Sequence, residues 1–234
     1  MNCILASSSK VHKMDYLEHL IPSLKKLFKD VEELVFIPFA RPGGISHTEY
    51  TKKAKRGLEP LDLKVKGLHE FKDYKDAVEE AEAIFIGGGN TFVLTETLHK
   101  SDLIDTLRNA VKGGTPYLGT SAGSNVAGQN IKTTNDMPII YPPSFEGLGL
   151  VDFNLNPHYI EREGGETHQG ETRITRIEEF HKYNSIPVVG LPEKDWLLID
   201  DQNIILKGAE NGVVFERNQS EYTIKAETSL QTLR

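Results

Sequence analysis

The chain has 234 residues, a formal net charge of −7 and a single cysteine. That length suits one domain, 1–234, with a single core, and the acidic balance argues against nucleic acid, which would call for a basic face. No run approaches the ~20 apolar residues of a membrane helix, and Cys3 can form no internal disulfide, which suits a reducing cytoplasm.

Strand and helix signals alternate through the first half. The N-terminus carries no basic region ahead of a long apolar core, so it reads as a first strand (residues 3–6) and not as a signal peptide. Cys3 within it reads as a small buried thiol. Apolar spacing predicts a helix over 16–28, a strand over 34–39, a helix over 47–58 and a strand over 61–65. A polar helix over 73–83 and a buried strand over 83–86 follow, then helices over 91–98 and 103–111, with Gly113-Gly114 as a stop signal. After residue 115 come a short strand, a helix opening over 122–128, a Thr- and Pro-rich stretch over 131–140, a strand within 148–155 and a helix over 172–183. Short strands over 188–191, 196–199, 204–206, 213–215 and 222–224 are joined by turns such as Asp200-Asp201-Gln-Asn and Glu210-Asn-Gly, as hairpins would be. Strands apolar on both faces and alternating with helices imply an α/β fold: a mostly parallel central sheet flanked by helices, with C-terminal β-hairpins.

The chemistry concentrates at Gly119-Thr120-Ser121-Ala122-Gly123, where an apolar run ends and a helix begins. This is a G-x-S-x-G nucleophile elbow, a strained strand-to-helix turn that exposes a serine hydroxyl. Glycines at 119 and 123 suit such a turn because they carry no Cβ to crowd it. The bland reading is a strand-to-helix turn with a capping serine.

A serine nucleophile needs a base, an acid to orient that base, and oxyanion donors. His12, His19, His47, His69, His99 and His181 lie in or beside helical or polar segments, and His168 lies in the polar stretch 163–170, where exposure is expected. His158 differs: it stands just past a strand in Asn154-Leu-Asn-Pro-His158, behind a proline, and strand ends are where α/β folds place their chemistry. Two carboxylates compete as orienting acid, Asp136 in Thr133-Thr-Asn-Asp-Met-Pro and Glu193 in Gly190-Leu-Pro-Glu-Lys-Asp. The strand-end setting of Glu193 is the more rigid mount, yet either carboxylate could be a turn residue serving backbone amides, and the choice stays open.

Gly87-Gly-Gly-Asn-Thr-Phe92 lies between a strand and a helix. It lacks the Gly-Lys-Ser/Thr ending of a P-loop, and Phe92 breaks the dinucleotide fingerprint. An oxyanion hole shared with the amide of Ala122 is the alternative, and a tight turn the plain one. There is no H-E-x-x-H or Cys/His cluster, and His158 with Glu161 is a pair of the kind chance supplies.

Taken together, these blocks resemble the peptidase E, or α-aspartyl dipeptidase, family of serine peptidases. Cyanophycinase and the class I glutamine amidotransferase-like proteins are more distant relatives. Ile37-Pro-Phe-Ala40, Gly87 to Phe92, Gly119 to Gly123, Thr133 to Ile139, Asn156-Pro-His158, Gly170-Glu-Thr-Arg173 and Gly190-Leu-Pro-Glu193 carry the resemblance in order. It implies Ser121 as nucleophile, His158 as base, Asp136 or Glu193 as third member, an oxyanion hole at Gly88 and Gly89 and a substrate carboxylate read by Arg173. Thr120, where the family has tryptophan, and Lys194-Asp195 depart from its pattern. The expected function is a cofactor-free cytoplasmic dipeptidase acting on small Asp-X peptides, with neither nucleic acid nor membrane as partner and a homodimer left open. A cyanophycinase-like enzyme and a catalytically silent binding protein are the competing readings. The silent one is weakened by the presence of Ser121, His158 and both acids.

Overall fold

Apolar residues fill both faces of the first strand, β1 (Asn2–Ala6): Cys3 and Leu5 join one buried cluster, Ile4 and Ala6 another. Because side chains alternate along a strand, burial on both faces marks a central strand covered by helices. The same split recurs in β2 (Glu33–Ile37), with Val35 and Ile37 on one face and Leu34 and Phe36 on the other. The computed structural model describes residues 1–160, 171–201, 203–230 and 233.

The remaining strands are β3 (Lys64–Gly67), β4 (Ile84–Ile86), β5 (Tyr117–Thr120), β6 (Asn154–Pro157), β7 (Val188–Leu191), β8 (Trp196–Asp200), β9 (Asn203–Lys207), β10 (Gly212–Phe215) and β11 (Tyr222–Ile224). The helices are α1 (Ile21–Leu27), α2 (His47–Leu58), α3 (Tyr74–Glu79), α4 (Thr91–Lys100), α5 (Ile104–Lys112), α6 (Ala122–Asn125) and α7 (Arg173–Tyr183). Seven strands form the large sheet in the order β3-β2-β4-β5-β1-β8-β9. The first five in that order are parallel, and the β8–β9 hairpin adds antiparallel strands beside β1. A second sheet runs β11-β10-β7-β6, with β6 and β7 parallel and the rest antiparallel. Leu155, Val189, Leu191 and Val214 of this sheet share a buried cluster with the large sheet, while α7 packs Ile174, Ile177 and Phe180 on its other side. The architecture is therefore the expected mostly parallel central sheet flanked by helices, with C-terminal hairpins.

Several boundaries differ from expectation, each for a local reason. The helix expected over 16–28 begins only at Ile21, because Leu17 is left-handed (φ 64°) and its N–H turns back to Ser9 O at 2.8 Å. Leu17, Leu20, Leu24 and Phe28 are still buried together, so their spacing signalled burial more than helix. The strand expected over 61–65 starts at Lys64, since Pro60 belongs to a 3-10 turn over Glu59–Leu61 and Asp62 is left-handed. The helices expected over 73–83 and 122–128 shorten to α3 and α6. Residues 148–150 do not open β6; they bond back to Val126, Ala127 and Gly128. Glu210-Asn-Gly joins β9 to β10, which lie in different sheets, so it closes no hairpin.

Candidate active site

The C-terminal ends of β4, β5 and β1, three neighbouring parallel strands, converge on Ser121. Ser121 follows β5 and precedes α6 with φ 53° and ψ −109°, a conformation costing a non-glycine residue about 1–3 kcal/mol. Close packing imposes it. A Cβ at Gly123 would lie 2.1 Å from Ile86 O at the end of β4, and one at Gly119 would lie 2.6 Å from Gly123 O. The turn is also tied by hydrogen bonds: Ser121 N–H donates to Ala6 O (3.0 Å), Tyr117 Oη to Gly123 O (2.7 Å), and Ser124 Oγ to Ala6 O (2.6 Å). The hydroxyl of Ser121 is left facing outward, as the elbow requires.

The second sheet supplies the partners. His158 follows β6, Glu193 follows β7, and these strands pair in parallel with Pro157 opposite Leu191. Ser121 Oγ lies 2.9 Å from His158 Nε2, and His158 Nδ1 lies 2.5 Å from Glu193 Oε2. An ionised carboxylate only accepts, so Nδ1 must carry the ring proton. In the neutral ring Nε2 then holds the lone pair, the tautomer needed to take a proton from Ser121. Burial of Glu193 opposes its charge but is outweighed by the hydrogen bond and charge of His158, with Ser8 and His19 adding to the effect. Its carboxyl is held below the ordinary carboxylate range. His158 is itself left-handed (φ 56°), a second non-glycine residue in a costly conformation.

Gly88 abuts the nucleophile: a Cβ there would come within 3.0 Å of Ser121 Cβ. Gly89 has φ 147°, and a Cβ there would strike Ala40 O at 2.2 Å, so only glycine fits. Tyr50 Oη donates to Gly88 O (3.0 Å), and a trans peptide then directs the Gly89 N–H the opposite way. Among the described residues the N–H groups of Gly88, Gly89 and Ala122 donate to no protein acceptor, which leaves them available to an oxyanion.

Asp136 stands elsewhere. Its Oδ2 accepts from Thr91 N (2.7 Å), Thr91 Oγ1 (2.6 Å) and Thr134 Oγ1 (3.2 Å), so it serves the N-terminus of α4 and not His158. Of the two competing carboxylates, Glu193 is the one bonded to the imidazole. Arg173 opens α7, whose Ile177 packs with Tyr159, the neighbour of His158. Glu171, just ahead of the helix, pairs with Arg176 at 3.6 Å. Burial pushes the Cys3 thiol up to about 12, which keeps it inert. Glu161, His168 and Gly170 lie outside the described residues. Among those described, no cluster of His, Cys, Asp or Glu could hold a metal, and no helix is long and apolar enough to cross a membrane.

The departures at 194 and 195 have a structural reason. Asp195 is fully buried, and its Oδ1 accepts from Ala209 N (2.9 Å) and Glu210 N (3.0 Å), while Lys194 pairs with Glu210 at 3.5 Å. Both residues fasten the turn that carries Glu193. Thr120 is likewise fully buried. Sequence reasoning missed Ser7, Tyr50 and Asn135, which bond the backbone around the site. For Ser7 the available signal was a polar Ser-Ser-Ser run directly after an apolar strand.

The family model "Peptidase family S51" matches residues 3–207. The Drosophila melanogaster "Probable alpha-aspartyl dipeptidase" is 46% identical, covering 92% of this chain and 90% of its own length. "Peptidase E" of Streptomyces coelicolor is 40% identical, covering 100% and 95%. In fold, the chain superposes on the crystal structure of a peptidase from an acI-B1 Actinobacterium with a TM-score of 0.73 at 18% identity, over 98% of this chain and 96% of that one. With a serine elbow at the end of β5 and a family match running from β1 through β9, the chain belongs to peptidase family S51.

Proposed function

We propose that the protein is a serine exopeptidase that cleaves the bond after an N-terminal aspartate in Asp-X dipeptides. The observation that carries this reading is the unbroken relay from Glu193 through His158 to Ser121, at 2.5 and 2.9 Å. Ser121 Oγ attacks the scissile carbonyl carbon as His158 Nε2 takes its proton. The oxyanion that forms is met by the free N–H groups of the Gly88–Gly89 loop and Ala122. His158 then passes its proton to the leaving amine, and the aspartyl ester on Ser121 is hydrolysed by water through the same imidazole. Glu193 keeps the ring in the required tautomer and stabilises its cationic form. Arg173 reads the aspartate side chain, since a guanidinium fork matches a carboxylate. The names of the curated relatives support this substrate class. Every side chain this mechanism invokes comes from one chain. A lone inert thiol fits a cytoplasmic setting.

The test is hydrolysis of Asp-Leu, Asn-Leu and cyanophycin by the purified protein and by Arg173→Ala. Asp-Leu is expected to be the preferred substrate. Arg173→Ala should lower kcat/KM for Asp-Leu by roughly 30-fold or more, the cost of truncating one partner of a desolvated charge pair. The loss on Asn-Leu, whose side chain is uncharged, should be far smaller. Equal losses on both dipeptides would remove Arg173 from recognition, and faster cleavage of cyanophycin would contradict the dipeptidase reading.

A further inference from the structure

At the end of β1 the Ala6–Ser7 peptide unit and the Ser7 hydroxyl together bond to the backbone of all three proposed catalytic elements. Ala6 O accepts from Ser121 N (3.0 Å) and Ser124 Oγ (2.6 Å), which holds the elbow. Ser7 N donates to Asp195 O (3.0 Å), and Ser7 Oγ donates to Leu191 O (2.9 Å), so both ends of the turn bearing Glu193 are held. Ser7 Oγ also accepts from His158 N (2.8 Å). We propose that Ser7 is a positioning residue: its hydroxyl locks His158 in its left-handed conformation and sets base and acid against the nucleophile across the two sheets. This inference rests on the Ser121–His158–Glu193 reading given above.

The hydroxyl suits the task. It has one proton to donate and lone pairs to accept, and its two bonds run one in each direction. Ser7 is fully buried, so no bulk water replaces it. Its bond to His158 matters because a left-handed non-glycine residue persists only where its surroundings over-determine it. Both peptides flanking His158 Cα are pinned: Pro157 O accepts from Asn135 Nδ2 (2.8 Å), His158 N–H is held by Ser7, and Tyr159 N–H donates to Leu191 O (2.9 Å). Leu191 O thus receives both Tyr159 and Ser7, which couples the loop of the base to the loop of the acid. Remove the Ser7 oxygen and the peptide entering His158 loses its only acceptor among the described residues. The ring is then free to relax towards negative φ and away from Ser121.

The experiment compares Ser7→Ala, which deletes the oxygen, with Ser7→Cys, which keeps the volume but offers a poor acceptor. It measures kcat and KM for Asp-Leu, the labelling rate of Ser121 by a fluorophosphonate, and the thermal midpoint. Both variants should remain folded and lose about 10- to 100-fold in kcat, the scale of a misplaced catalytic group. KM should stay within about twofold, and labelling should slow in parallel with kcat. Wild-type kcat in the cysteine variant would mean that volume alone matters and would overturn the proposal. So would a loss confined to KM, or variants that fail to fold, which would make Ser7 a residue of the fold alone. Ser121→Ala assayed alongside separates the two ideas: if it retained activity, the serine reading would fail regardless of Ser7.

Discussion

The nucleophile and the base stand on opposite sides of one site and are held there by different means. The Ser121 side is made of backbone packed on backbone: Gly119, Gly123, Gly88 and Gly89 let four chain segments approach so closely that a methyl would not fit at Gly123 or Gly89. The His158–Glu193 side is made of hydrogen bonds between side chains about half exposed, at 42% and 48%, mounted on two short parallel strands. The first arrangement tolerates no added atom. The second depends on which polar atoms are present and charged.

That contrast can be sharpened by substitution. The largest effect is expected on the polar side, where Glu193→Gln should lower kcat towards the ~10⁴-fold loss seen for a buried orienting carboxylate. The half-exposed setting should leave the loss smaller than that but above about 10²-fold. Asp136→Asn should change kcat little and instead lower the thermal midpoint, since the Asp136 carboxylate accepts from the Thr91 N–H and hydroxyl at the start of α4, and hydrogen bonds to a charged group are worth about 1.5–3 kcal/mol. The opposite ranking in kcat would reassign the acid. The pH dependence of stability carries the same signature. Because the folded value of Glu193 is depressed, its contribution is complete above the ordinary carboxylate range and is lost as pH falls through its lowered value. Denaturant titrations from pH 7 downward should show Glu193→Gln lacking that component.

On the packed side, Gly123→Ala places a Cβ 2.1 Å from Ile86 O, a backbone atom of a central strand that cannot step aside. Overpacking of this kind costs about 1–3 kcal/mol or more, so the midpoint of thermal unfolding should drop by several degrees and activity should fall with it. A Gly114→Ala control, with nothing within 4 Å of its Cβ but φ at 121°, should be destabilised by backbone strain alone and keep its kcat. If Gly123→Ala behaved like Gly114→Ala, close packing would not be what shapes the elbow.

The same contrast explains what could be read from the chain. The elbow was legible because its determinants are consecutive residues, and the central strands because two-sided burial writes itself as apolar runs in 3–6, 34–37 and 83–86. Helix α2 was legible in full, its observed bounds His47–Leu58 matching those its residue spacing predicts. The decision between Asp136 and Glu193 was not, because it turns on the pairing of β6 with β7, whose partners lie 35 residues apart at His158 and Glu193. Ser7 was hidden for the same reason. A serine after a strand looks like any loop residue until the chain brings His158, 151 residues away, onto its oxygen.

The most direct measurement of the central claim is site-resolved labelling with a fluorophosphonate, read by mass spectrometry after proteolysis, in the wild type, His158→Ala and Glu193→Gln. A serine activated by the relay is expected to give one adduct on the peptide carrying Ser121, with stoichiometry that tracks the loss of Asp-Leu hydrolysis. His158→Ala should nearly abolish that adduct and Glu193→Gln should slow it strongly. Full loss of activity without an adduct at Ser121, or labelling at an unchanged rate in His158→Ala, would contradict the account.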